Sequence, residues 1–261
     1  MCEQGTLIMK FNEINNTILV ESINDAGIFK ALLLAGLPGS GKSTMAKRLL
    51  LHCRVRPKIV NFDKFYEHLS IKLGVDIGPD ATPEETQPLL ARAEHLTREQ
   101  LTHYIHNMLP IIIDGTAENP ISMLNRIDML HSIGYDIGML WVRTDLETSI
   151  TRAANRTRHV DPAYIHKLAH MEDHNIQYLS ERIPTQGGGP FIVVDTKTDE
   201  GNVDTAIKQI NKFFTSPISN PIGNKYVNMI RSGGGKSLSP HAYQRIDDVG
   251  MAVSKWTSKR R

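Results

Sequence analysis

Hydrophobic and polar residues alternate along the chain in blocks that predict strands separated by helices. Apolar runs typical of buried parallel strands cover residues 29–35, 58–62, 110–114, 136–142 and 191–195. Apolar residues at helical spacing predict helices over residues 42–52, 63–73, 119–133, 145–156, 162–182 and 202–214. This alternation predicts an α/β fold, with a parallel sheet of about five strands covered by helices on both faces.

Three further segments have a less regular pattern. Residues 82–108 are helical in pattern, and we expect two helices there because Thr97 to Gln100 resembles a capping box. Short alternating stretches near the N-terminus predict a strand pair, and Pro, Gly and Ser become frequent after Phe214. We therefore expect an N-terminal strand pair (residues 1–22), a main domain (residues 23–215) and a C-terminal tail (residues 216–261).

Composition and charge distinguish the tail from the rest. The chain is 40% hydrophobic and 22% charged, which is ordinary for a soluble globular protein. From Ile222 onward eight basic residues accompany two aspartates, whereas the preceding 221 residues carry a small net negative charge. The two cysteines, Cys2 and Cys53, predict no structural disulfide. With no signal peptide and no long apolar run, we expect a cytoplasmic protein without a membrane partner.

A glycine-rich octet follows the first predicted strand and precedes a predicted helix. It consists of Gly36, Leu37, Pro38, Gly39, Ser40, Gly41, Lys42 and Ser43, and Thr44 follows it. Glycines allow a tight turn whose N–H groups point at phosphate oxygens, and the helix N-terminus adds positive charge. The pattern predicts ATP binding, with Lys42 on the β- and γ-phosphates and Ser43 on Mg²⁺. The alternative is a glycine-rich turn that arose by chance.

Asp63 follows one predicted strand and Asp114 ends another, and the carboxyl ends of parallel strands face a ligand crevice. Asp63 is a candidate general base for an attacking hydroxyl, and its alternative role is to cap the next helix. Asp114 is a candidate Mg²⁺ ligand, although a contact with substrate or a role in an Asp-Gly turn would also explain it.

Three arginines lie at the end of one predicted helix and before another. Arg152 and Arg156 are four residues apart and share a helical face, and Arg158 follows them in the turn. A basic turn between two helices is typical of a lid whose guanidinium groups stabilise a transferring phosphoryl group. The alternative is a solvated basic face.

With these motifs in place, the chain resembles the bacteriophage P-loop kinases related to polynucleotide kinase and to zeta toxins. The resemblance covers residues 29–214 and rests on the order GLPGSGKST, VNFDKF, IIIDGT, RAANRTR and FIVVDT. It implies a P-loop NTPase-type three-layer fold with a helical lid, and ATP and Mg²⁺ as cofactors. It also implies that Asp63 is the general base, that the lid arginines engage phosphates, and that Asp114 contacts substrate or metal.

The resemblance leaves the phosphate acceptor open, because members of the family phosphorylate 5′-hydroxyl ends, nucleotide sugars or the hydroxymethyl group of a modified uracil in phage DNA. The basic tail favours DNA, since cationic side chains bind phosphates without regard to sequence. We therefore expect a kinase acting on 5-hydroxymethyluracil in phage DNA or on a 5′-hydroxyl end. A small-molecule kinase and a nucleotide-dependent switch or binding protein are the alternatives.

Overall fold

The computed structural model describes residues 26–156, 158, 160–197 and 200–232. The strands are β1 (Lys30–Ala35), β2 (Lys58–Val60), β3 (Ile111–Asp114), β4 (Asp136–Arg143) and β5 (Gly188–Asp195). The helices are α1 (Lys42–His52), α2 (Phe62–Leu73), α3 (Pro83–His106), α4 (Pro120–Ser132), α5 (Leu146–Ala154), α6 (Pro162–Gln186), α7 (Glu200–Thr215) and α8 (Pro221–Arg231). None of these helices combines the length and hydrophobicity needed to cross a membrane. The predicted N-terminal strand pair and the tail beyond Ser232 lie outside the described residues.

The five strands form one parallel sheet in the order β2-β3-β1-β4-β5. The predicted α/β fold with a parallel sheet is therefore confirmed. Strand β1 is central, and its residue Leu34 lies beside Asp114 of β3, while Ala35 lies beside Trp141 of β4. The loop that leaves β1 at Gly36 is thus flanked by the carboxyl ends of both neighbouring strands.

Helices cover both faces of the sheet because successive side chains of a strand point to opposite faces. Ala31 and Leu33 of β1 belong to a core that includes residues of α3, α4, α6 and α8. Leu32 and Leu34 belong to a second core that includes residues of α1 and α7. Every residue of β1 is buried. The layers therefore fix the position of the loop after β1.

Helix α3 corrects the expectation of two helices over residues 82–108. The helix is continuous from Pro83 to His106, and its start is marked at Thr82, whose N–H and hydroxyl both donate to the Glu85 carboxylate. The second capping signal is not used: the Thr97 hydroxyl is buried inside the helix and donates to the Ala93 carbonyl at 2.7 Å. A threonine can satisfy its hydroxyl in this way without ending a helix.

Residues 216–231 differ from the expected tail, because they pack against the sheet. We call residues 216–220 the strap. The carboxylate of Asp136, the first residue of β4, accepts hydrogen bonds from the Ser219 hydroxyl and backbone N–H at 2.7 Å each and from the Asn220 N–H at 2.9 Å. It also pairs with the Lys30 ammonium at 2.8 Å. Tyr226 of α8 then contacts the Phe29 ring, with centroids 5.8 Å apart.

The strap supplies hydrogen bonds to the buried ion pair of Lys30 and Asp136. Lys30 and Asp136 are 2% and 0% exposed. A buried ion pair is tolerated only when further hydrogen bonds satisfy the remaining ammonium protons and carboxylate lone pairs. The Ser216 hydroxyl and the Pro217 carbonyl accept from Lys30 at 3.2 and 2.9 Å. The polar, turn-forming composition that predicted a linker therefore supplies donors and acceptors to this pair.

We predict that Asp136→Ala lowers the free energy of unfolding by about 3–5 kcal/mol, because it leaves the Lys30 ammonium buried without its counter-ion. Urea denaturation followed by circular dichroism measures the change. Glu99→Ala is the control, since Glu99 pairs with His95 at the surface and its loss costs less than about 0.5 kcal/mol. A loss below about 1 kcal/mol for Asp136→Ala would contradict the role of this pair.

Candidate active site

The loop between β1 and α1 has a shape that only glycine permits. Gly36, Gly39 and Gly41 have φ angles of 133°, 86° and 99°. A Cβ atom on Gly36 would lie 2.1 Å from the Val142 carbonyl oxygen, and one on Gly39 would lie 2.3 Å from the Ser149 carbonyl oxygen. The loop therefore packs its own backbone directly against the backbones of β4 and α5.

Two side chains outside the loop bind its carbonyl groups. The Ser149 hydroxyl of α5 donates to the Pro38 carbonyl at 2.6 Å, and the Thr196 hydroxyl after β5 donates to the Ser40 carbonyl at 3.1 Å. Sequence reasoning missed both residues, although each lies in a motif that it quoted or beside one. A loop whose carbonyls bind protein donors can present its N–H groups to an anion.

The loop also holds positive charge and a hydroxyl suited to phosphate. Lys42 is 4% exposed, and its ammonium donates to the carbonyls of Gly36 and Leu37 at 2.9 and 2.8 Å. The Ser40 hydroxyl is buried and has no hydrogen-bond partner among the described residues. The loop thus brings together an ammonium, a helix N-terminus and a buried hydroxyl, which fit the phosphate oxygens of a nucleoside triphosphate.

The donor set beside the loop fits Mg²⁺. Ser43 is exposed at the start of α1, and Asp114 lies at the carboxyl end of β3, beside the strand that leads into the loop. The Asn61 side-chain amide donates to Asp114 Oδ2 at 2.8 Å and orients the carboxylate. Mg²⁺ binds through one or two protein oxygens plus water and phosphate. Within the described ranges, no group of three His, Cys, Asp or Glu side chains forms another metal site.

A pocket of about 370 Å³ opens beside Gly39, Gly41 and Ser43. Its wall carries four cationic side chains, from Arg48, Arg152, Arg156 and Lys197. Guanidinium groups bind phosphate and stack on aromatic rings, so this wall suits a nucleotide bound to the loop.

Asp63 lies on α2, where the sequence placed the candidate base. Asn61 is the N-cap of this helix and accepts from the Lys64 N–H at 3.3 Å, so the alternative interpretation of Asp63 as the N-cap is wrong. Asp63 instead accepts a hydrogen bond from Arg158, and the two side chains are only 15% and 10% exposed. The Arg158 guanidinium also lies 5.5 Å from the centre of the Tyr66 ring.

The three arginines of the predicted lid do not share one environment. Arg152 and Arg156 line the pocket beside the loop, whereas Arg158 is buried against Asp63. These three residues, which we call the arginine segment, therefore line the pocket at one end and contact Asp63 at the other. Helical spacing placed Arg152 and Arg156 on one face and Arg158 in the following turn, but no pattern in the sequence indicated that Arg158 contacts Asp63.

The loop after β3 is held by α6, a contact that sequence reasoning missed. Asn175 donates to the carbonyls of Ala117 and Glu118 at 3.2 Å each. The Glu118 carboxylate accepts from Tyr164 at 3.0 Å and from Lys167 at 2.8 Å. Because α6 follows the arginine segment in the chain, this contact ties the predicted lid to the loop beyond Asp114.

A parallel sheet with a glycine loop and an ammonium at the carboxyl end of its central strand defines a P-loop NTPase-type fold. Residues 32–175, more than half of the chain, match the family described as AAA domain, and the chain belongs to this family. A search of curated proteins found no match.

Three solved structures align with this chain at low sequence identity. A structure of the PezAT chromosomal toxin–antitoxin system of Streptococcus pneumoniae is 16% identical, with a TM-score of 0.51, and the alignment covers 95% of this chain and 97% of that chain. The Pnkp1/Rnl/Hen1 RNA repair complex is 21% identical, with a TM-score of 0.45 and coverage of 59% and 47%. Deoxyadenosine kinase from M. mycoides is 19% identical, with a TM-score of 0.40 and coverage of 69% and 99%.

We predict that Gly36→Ala weakens ATP binding at least about 100-fold, because its Cβ would meet the Val142 carbonyl and displace the loop. Isothermal titration calorimetry with MgATP measures the loss. The control is Gly74→Ala at the end of α2, where φ is also positive at 66° but nothing lies within 4 Å. That change costs about 1 kcal/mol of stability through backbone strain and leaves ATP affinity unchanged. Equal affinity losses in the two variants would contradict the proposed role of the loop packing.

Proposed function

We propose that this protein is an ATP-dependent kinase that transfers the γ-phosphoryl group to a hydroxyl. The observation that carries the proposal is the contact between Asp63 and Arg158. It joins the Asp63 side chain, near the carboxyl ends of the strands, to the arginine segment, which also lines the pocket beside the loop. A phosphotransferase needs a base and positive charge near the transferring group, and phosphate binding alone does not need the base.

In the proposed reaction, the loop N–H groups and Lys42 bind the triphosphate. Ser43 and Asp114 would hold Mg²⁺, which neutralises charge on the β- and γ-phosphates. Asp63 accepts the proton of the acceptor hydroxyl as its oxygen attacks the γ-phosphorus, and ADP leaves. Arg158 moves from Asp63 toward the phosphoryl group in the reacting complex, and Arg152 and Arg156 bind the nucleotide. Closure of the arginine segment excludes water and limits hydrolysis of ATP.

We propose a nucleic-acid hydroxyl as the acceptor, favoured as the hydroxymethyl group of 5-hydroxymethyluracil in phage DNA or a 5′-hydroxyl end, with the enzyme acting in the cytoplasm. The sequence resemblance and the basic tail support this choice. Six of the eight basic residues after Ile222 lie in residues 233–261, and cationic side chains give affinity for nucleic-acid phosphates. A nucleoside or a nucleotide sugar is the alternative acceptor.

We predict that Asp63→Asn lowers the rate of phosphoryl transfer at least about 100-fold, because the amide cannot accept the hydroxyl proton. Transfer from γ-labelled ATP is measured on a panel of DNA ends, hydroxymethyluracil DNA, nucleosides and UDP-sugars. ATP affinity should change less than about threefold, since Asp63 lies outside the loop. Lys42→Ala is the comparison, and it should weaken ATP binding itself. Full transfer by Asp63→Asn would contradict the assignment of the base and favour a nucleotide-dependent switch.

The tail is tested by truncation after Ser232, which keeps α8 and its buried Val227 in place. We predict that the truncated protein phosphorylates DNA at least about tenfold less efficiently at physiological salt, while its ATP affinity is unchanged. A full-length variant with Lys236, Arg245, Lys255, Lys259, Arg260 and Arg261 replaced by Gln separates charge from length. Unchanged phosphorylation of DNA by both variants would contradict a role for the basic tail.

A further inference from the structure

Glu67 is a carboxylate that the proposed mechanism does not use. It lies four residues after Asp63 on α2, so the two side chains share one face of the helix. Glu67 is half-buried, yet within the described part of the chain no hydrogen bond or ion pair to it is found. Burial of a carboxylate that accepts no hydrogen bond costs free energy, and a donor that approached it would stabilise its charged form.

The groups around Glu67 belong to the base and the arginine segment. Burial raises the pKa of Glu67, the charge of Asp63 raises that pKa further, and Arg156 and Arg158 oppose both effects. Arg158 is engaged with Asp63. The guanidinium of Arg156, by contrast, has no ion pair among the described residues, although it lines the nucleotide pocket. Opposite charges thus lie near each other on α2 and on the segment after α5.

We propose that Glu67 is a positioning residue that accepts hydrogen bonds from Arg156 when ATP is bound. Arg156 then contacts the nucleotide on one side and α2 on the other. Because α2 also carries Asp63, this contact links an occupied nucleotide pocket to the helix that carries the base. It also gives the lid an anchor on α2 that persists when Arg158 leaves Asp63. The inference rests on the proposed function for its meaning in catalysis, but the contact itself requires only ATP.

A double-mutant cycle tests the contact with Glu67→Gln, Arg156→Gln and the double variant in the full chain. The probe is the non-hydrolysable analogue AMP-PNP with Mg²⁺, and isothermal titration calorimetry measures its affinity. We expect each single change to weaken binding about fivefold to tenfold, as for loss of a charge-assisted hydrogen bond. The double variant should be no more than about twofold weaker than the weaker single variant. Losses that multiply in the double variant would overturn the proposal.

Two further measurements distinguish positioning from a structural role. Glu67→Gln should leave the thermal unfolding temperature of the nucleotide-free protein unchanged or raise it slightly, because it removes repulsion with Asp63. A fall in the nucleotide-free unfolding temperature would indicate a structural role and overturn the proposal. Glu181→Gln, on an exposed glutamate of α6, is the matched control and should leave AMP-PNP affinity unchanged.

The readout also separates this inference from the proposed function. AMP-PNP binding needs no acceptor, so coupling between Glu67 and Arg156 can be found even if no acceptor on the panel is phosphorylated. That result would support the contact between Glu67 and Arg156 and contradict the proposed kinase function. If phosphoryl transfer depends on Asp63 but Glu67→Gln leaves AMP-PNP affinity unchanged, the kinase function is supported and the contact between Glu67 and Arg156 is overturned.

Discussion

The close approach of the phosphate loop to β4 and α5 is the constraint on which the site depends. Gly36 and Gly39 leave no room for a Cβ atom between the loop and the carbonyls of Val142 and Ser149. The register of β1 with β4 pairs Ala35 with Trp141 and so places the next residue, Val142, beside Gly36. The sheet thereby fixes the loop, and the loop fixes the ammonium of Lys42. A shift of β4 against β1 would therefore change the phosphate site directly.

A second constraint acts on Asp63 and the arginine segment, because more than one anionic group can bind the Arg158 guanidinium. Arg158 forms an ion pair with Asp63, so the carboxylate that we propose as the base holds a cation. Under the proposed function, a bound triphosphate would add anionic oxygens that compete with Asp63 for the Arg158 guanidinium. Loss of the Arg158 contact would then free the base when nucleotide is bound.

Local patterns in the sequence predicted the buried strands, the phosphate loop and the position of Asp63, because each depends on residues close together in the chain. Contacts between distant residues were not predictable. No spacing rule joins Asp63 to Arg158, or Asp136 to Ser219, which are 95 and 83 residues apart. For Glu67, the four-residue spacing from Asp63 is visible in the sequence, but its proximity to Arg156 depends on the fold. The expected division of α3 failed because the Thr97 hydroxyl found a partner within the helix.

The ion pairs of Lys30 with Asp136 and of Asp63 with Arg158 lie at opposite ends of the strands. Lys30 and Asp136 begin β1 and β4, whereas the phosphate loop, Asp63 and Asp114 lie at the carboxyl ends of strands. The strap and the start of α8 are therefore about 20 Å from the site, the length of a six-residue strand. Under the proposed function, the basic residues that follow α8 in the sequence raise the local concentration of a polymer substrate. Arg158 contacts Asp63 directly and Asn61 contacts Asp114, and under the proposed function these two side chains are the candidates for orienting the acceptor hydroxyl.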